Sequence, residues 1–129
     1  MEIGSLLTRA VLTVKEGDSL RDAARWMVER GVGSAVVIGD GKPIGIVTDR
    51  DTLRVIAQGG DPKAVKVRDC LTRRLTTASE SMEVVEAARV MREKNFRHLV
   101  VVDDDGGLVG VFSMRDLVVG LMQEMSATA

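Results

Sequence analysis

Hydroxyl, guanidinium and carboxylate side chains fall twice at one spacing behind a glycine. The two copies are Gly45-Ile46-Val47-Thr48-Asp49-Arg50-Asp51 and Gly110-Val111-Phe112-Ser113-Met114-Arg115-Asp116. The apolar residues after each glycine read as the end of a strand, and Thr48 or Ser113 as the point where a helix begins. At a helix start the unpaired N–H groups and the positive end of the dipole favour an anion. A carboxylate there can accept hydrogen bonds from two neighbouring hydroxyls. The group is therefore suited to a phosphorylated ribose, with Arg50 and Arg115 as phosphate partners or as plain surface charges. The spacing of Thr48 to Asp51 and of Ser113 to Asp116 is also that of a capping box, which merely starts a helix. Both readings stand on these residues alone.

Little else in the chain suggests covalent chemistry. Cys70 and His98 are the only cysteine and histidine, so neither a disulfide nor a Cys/His metal cluster is expected. No nucleophile–base pair is evident. The expectation is a protein that is not an enzyme, with no catalytic and no metal-binding residues. Eighteen basic against nineteen acidic residues leave a net charge of −1, and aromatics are 2% with no tyrosine. A nucleic-acid partner is not expected from a chain with so little field and so few rings to stack on. The first residues show no signal-peptide pattern and no run has membrane-span length, so a soluble cytoplasmic protein is expected, with no membrane partner. The basic stretch from Lys63 to Arg74 reads as a solvated face.

The elements that must position the two motifs are themselves duplicated. At an offset of 64 residues, Ala23, Ala24, Arg25, Met27 and Glu29 meet identical residues at Ala87, Ala88, Arg89, Met91 and Glu93. At an offset of 65, Gly45, Arg50 and Asp51 meet Gly110, Arg115 and Asp116. Each copy reads strand, helix, strand, strand, helix. Val11–Val14 is a short strand, and Ser19 with Asp22 has capping-box spacing. Leu20, Ala23, Ala24 and Met27, like Val84, Ala87, Ala88 and Met91, form an apolar helical face. Gly31 and Asn95 suit left-handed helix ends. The runs at Val36 and Val100 are strands buried on both faces. Turns at Gly39–Pro43 and Asp103–Gly107 close hairpins, and final helices run from Asp51 to about Ala57 and from Asp116 to about Met125. The fold class expected is α+β, close to α/β, with repeats at 3–62 and 63–125 packed about a pseudo-twofold axis. Each half alone would bury a marginal core.

Arg97 and His98 open the buried strand of the second copy where Gly33 and Ser34 open the first. The second copy thus offers the stronger anion partners, although His98 could equally be a satisfied strand-edge histidine. Thr13 and Thr77 either present backbone groups to a base or simply favour strand. Val11, Val14, Ile46, Leu75 and Val111 either hold a ring or belong to the core. Trp26 lies off the Ala-Ala face, where a contact between copies would cover it. Met82, Met114, Met122 and Met125 read as gap-fillers.

The ordered set of motifs, twice over, resembles a tandem pair of CBS domains, the modules named after cystathionine β-synthase. The resemblance rests on Leu7-Thr8-Arg9 and Leu71-Thr72-Arg73, the Ala-Ala helices, the runs at Val36 and Val100, Arg97-His98-Leu99-Val100 and the terminal motifs. The family often has proline where Val100 stands. The resemblance covers residues 3 to 122 and implies βαββα units with two clefts between them that bind adenosine compounds: AMP, ADP, ATP or S-adenosylmethionine. No cofactor is required. It implies Asp51 and Asp116 on ribose, with Thr48 and Ser113 near phosphate. The ligand-binding set expected is Thr13, Val14, Gly33, Ser34, Ala35, Ile46, Thr48, Arg50, Asp51, Thr77, Arg97, His98, Leu99, Val111, Ser113, Arg115 and Asp116. It further implies a regulatory module (a Bateman module) that forms a homodimer and signals to an effector protein in trans. The alternative is a structural dimerisation module whose clefts hold nothing.

Overall fold

The computed structural model describes residues 1–73 and 75–128; Arg74, at the end of the basic stretch, lies outside them. The elements are β1 (Thr13–Val14), α1 (Leu20–Arg30), β2 (Ser34–Gly39), β3 (Lys42–Thr48) and α2 (Asp49–Ala57). They recur as β4 (Thr77–Ala78), α3 (Val84–Lys94), β5 (His98–Val102), β6 (Leu108–Ser113) and α4 (Met114–Thr128). The fold is α+β with two βαββα repeats. β1 is shorter than the β-branched run suggested. α2 and α4 begin two residues earlier than expected, because Thr48 and Ser113 sit just ahead of the helices and place the aspartates three residues in.

The chain divides into two compact units, Val11–Leu75 on the one hand and Met1–Ala10 with Thr76–Ala129 on the other. In the first, β1 pairs parallel with β2, and β2 antiparallel with β3. The β2–β3 turn is Asp40-Gly41 with φ of 52° and 79°, the double positive φ of a two-residue hairpin. Side chains alternate across a strand and directly paired residues share a face. Val14, Ala35, Val37 and Val47 therefore point one way, where they pack with Leu20, Ala23 and Met27 of α1 and with Leu12 and Val67. Ser19 caps α1 by accepting the Asp22 N–H at 3.0 Å, and Gly31 ends it at φ 65°. Trp26 is half-buried and packs on this core from the flank of α1.

In the second unit β4, β5 and β6 repeat the pairing. Ala78, Leu99, Val101 and Phe112 meet Val84, Ala87 and Met91 of α3, with Leu117 of α4. Asn95 ends α3 at φ 55°. Asp103 shapes the longer β5–β6 turn by accepting the N–H groups of Asp105 and Gly107 at 2.9 and 2.8 Å.

Each unit takes its sheet from one repeat and a short leading segment from the other. Leu7 belongs to the core of β4–β6, and Thr8 exchanges both backbone bonds with Val111 at 2.9 Å. Leu71 packs against the core of β1–β3, and Thr72 pairs with Ile46 at 2.9 and 3.1 Å. These segments explain the glycine of each motif. A Cβ on Gly110 would stand 2.3 Å from Leu7 Cδ1 and 2.4 Å from the Thr8 carbonyl oxygen, and one on Gly45 would stand 2.3 Å from Leu71 Cδ1.

Candidate functional site

The face of each sheet opposite α1 or α3 carries the sequence-predicted polar residues. In the first unit Thr13, Val36 and Ile46 form one row, and Ser34 and Thr48 the next. In the second, Thr77, Val100 and Val111 form the first row, and His98 and Ser113 the next. A backbone bond then fastens each helix start to the head of the central strand. Asp49 N–H donates to Gly33 O at 3.0 Å, and Met114 N–H to Arg97 O at 2.8 Å. Gly33, Ser34 and Thr48 thus stand beside the N-terminus of α2, and Arg97, His98 and Ser113 beside that of α4. Val14, Ala35 and Leu99 are placed otherwise: their side chains are buried on the α1 or α3 face of the sheet, away from these rows.

Both aspartates make the capping bond. Thr48 N–H donates to Asp51 Oδ2 at 2.7 Å and Asp51 N–H to Thr48 Oγ1 at 3.4 Å. Ser113 N–H donates to Asp116 Oδ2 at 2.8 Å, and Asp116 N–H to Ser113 Oγ at 3.2 Å. A cap of this kind uses one carboxylate oxygen and leaves the other for a second partner. Arg50, Arg97 and Arg115 are exposed; among the described residues none of the three forms an ion pair. The arrangement presents N–H groups, a hydroxyl, an unpaired guanidinium and a carboxylate at one helix start, a set of donors and acceptors matched to a sugar phosphate.

Two neighbours of Asp51 were not singled out in the sequence. Arg54 Nη1 lies 3.0 Å from Asp51 Oδ1, a pair that the i,i+3 spacing on a helix could have flagged. Cys70 shares with Asp51, Arg54, Gln58 and Asp69 a cavity of about 520 Å³. Burial pushes the Cys70 thiol above its ordinary range, and the negative charges of Asp51 and Asp69 add to this while Arg54 opposes it. Among the described residues no group of three or more His, Cys, Asp or Glu is placed to hold a metal ion, and no helix is long and apolar enough to cross a membrane.

Residues 3–58 and 67–122 each match the CBS domain family. The chain belongs to that family. Among similar proteins, an uncharacterized protein of Methanopyrus kandleri is 37% identical over 91% of this chain. The mitochondrial CBS domain-containing protein CBSX3 of Arabidopsis thaliana is 34% identical over 83% of it. The chain spans 61% and 54% of the length of these two relatives. A CBS domain protein of Pyrobaculum aerophilum, solved in complex with AMP, is 32% identical, superposes with a TM-score of 0.86, and matches over 100% of both chains.

Proposed function

We propose that this CBS pair binds an adenosine-containing ligand, AMP, ADP or ATP, and relays its occupancy to a partner protein in trans. The supporting observation is the recurrence, in each unit, of a polar strand row running into a helix start that carries a capping aspartate and an unpaired arginine. The aspartate would take ribose hydroxyls through the carboxylate oxygen that the cap leaves over. The helix N–H groups with Arg50, Arg97 or Arg115 would take phosphate. The AMP complex of the Pyrobaculum relative supports the same ligand class. The residues carry no catalytic step; the action is a population shift, which requires the nucleotide to bind two arrangements of the module unequally.

A second copy is the proposed cover for the outward side of α4. Met114, Val118, Met122 and Met125 recur at helical spacing and are exposed, an apolar stripe of the kind that marks an interaction surface. The competing reading is a dimerisation module with empty sites. It is favoured by capping boxes that are complete without any ligand. Titration calorimetry with AMP, ADP, ATP and S-adenosylmethionine separates the two. Saturable heat is expected with at least one adenine nucleotide, and silence with all four, together with an unmoved Tm, establishes the structural module instead.

A further inference from the structure

The two aspartates share a motif and differ in what surrounds them. The Asp51 side chain is 7% exposed and both of its oxygens are engaged: Oδ2 by the Thr48 N–H and hydroxyl, at 2.7 and 3.1 Å, and Oδ1 by Arg54 at 3.0 Å. Asp116 is half-buried, and Ser113 holds only its Oδ2. No donor among the described residues meets its Oδ1. The residue three positions on, where Arg54 stands in the first repeat, is Val119. The cations differ in the same direction. Arg97 stands unpaired at the head of β5, whereas its counterpart is Gly33.

We infer that the two repeats bind adenosine ligands unequally, with the Asp116 half-site open to the sugar and the Asp51 half-site latched by Arg54. This rests on the nucleotide reading above and adds which half-site acts and what restrains the other. A guanidinium–carboxylate bond is charged on both sides and stronger than a hydroxyl–carboxylate bond. A ribose hydroxyl that displaces Arg54 from Oδ1 therefore makes an unfavourable exchange. Arg54 is itself 56% exposed, so solvent screens the pair and the latch is modest. Its effect is about tenfold in affinity, the scale of one exposed-to-buried charged contact. Cys70 and Asp69 line the same cavity as the latch.

The test is titration calorimetry with AMP on four chains: wild type, Asp116→Asn, Asp51→Asn and Arg54→Val, the last reproducing position 119. Asparagine keeps the size of the capping side chain, and circular dichroism melts confirm that each variant is folded. The expected result is one dominant site in wild type that Asp116→Asn weakens about 10- to 100-fold, as loss of a charged hydrogen bond implies. Arg54→Val reveals or tightens a second site by about tenfold, whereas Asp51→Asn, which removes the carboxylate that site needs, does not. Equal wild-type sites, a dominant site lost with Asp51→Asn, or weakened binding in Arg54→Val would each overturn the latch while leaving nucleotide binding intact. The last of these would make Arg54 a phosphate ligand. No AMP binding in any of the four chains would overturn both the latch and AMP as the ligand.

Discussion

Replacing Gly110 with alanine tests how the leading segment is fastened beside the site. The added Cβ would lie 2.4 Å from the Thr8 carbonyl oxygen, a backbone atom, and 2.3 Å from Leu7 Cδ1. Leu7 can change rotamer, but the carbonyl is fixed by its own bond to the Val111 N–H at 2.9 Å. Relief therefore requires β6 and the segment to part. Overpacking of this kind costs about 1–3 kcal/mol. Loss of both Thr8–Val111 bonds would add about 1 kcal/mol each. We expect Gly110→Ala to lose about 3–5 kcal/mol in urea denaturation. Gly17→Ala is the control, since nothing stands within 4 Å of its Cβ and its φ is not positive. It should stay within about 0.5 kcal/mol of wild type. A Gly110→Ala chain as stable as wild type would refute the close approach of Thr8 to β6. So would an equal loss in both variants.

Other substitutions address the caps, the buried hydroxyl and the thiol. Thr48→Ala and Ser113→Ala should each cost about 1 kcal/mol in chemical denaturation, the value of an N-cap; no loss at either would mean that the capping bonds do not form. Thr52 Oγ1 is buried and lacks a hydrogen-bond partner among the described residues, so Thr52→Val should leave stability unchanged or raise it by about 1 kcal/mol. A clear loss would show that the hydroxyl has a partner. The Cys70 thiol, its pKa raised by burial and by Asp51 and Asp69, should react with a disulfide reagent at pH 8 more slowly than free cysteine, and Asp69→Asn should quicken it. Because the folded state holds the thiol protonated, its stabilising effect is full below the unfolded value of about 8.5 and is lost as pH rises through the folded value. An Asp69→Asn thiol that reacts no faster than wild type at pH 8 would refute this.

The repeat, the element order and the helix faces were legible because they are periodic. Leu20, Ala23 and Met27 recur at the helical period, and the Val36 and Val100 runs stand out from the charged sequence around them. The strand rows followed once pairing was known, since alternation alone puts Thr13, Ser34 and Thr48 on one face and Val14 and Ala35 on the other. That separation was not readable from composition: Val14 and Ala35 are as apolar as Ile46, and only register tells which side a strand residue faces. The glycine of each motif was visible as a repeated letter but not as a contact. Its reason lies in Leu7, Thr8, Leu71 and Thr72, which reach it across long stretches of chain. The contact of Trp26 with the core was not readable from the helical period, because a ring of that size reaches the core from the flank of the Ala-Ala face.

A capping box and a ribose site ask for the same aspartate at the same place. Persistence of Thr48 with Asp51 and of Ser113 with Asp116 through the duplication therefore has a sufficient cause in helix initiation, and the motif alone would count two equivalent sites. The second carboxylate oxygen distinguishes them. In the first repeat it is held by Arg54; in the second it has Val119 where that arginine would be, and Arg97 adds a cation that Gly33 cannot. Both halves carry the capping pair, and positions 33 and 97, like 54 and 119, differ outside it. Differences in ligand affinity between the halves should accordingly track positions 33, 54, 97 and 119. Exchanging Arg54 and Val119 between the repeats should then reverse the order of AMP affinity at the two half-sites, whereas exchanging Thr48 and Ser113 should leave that order in place.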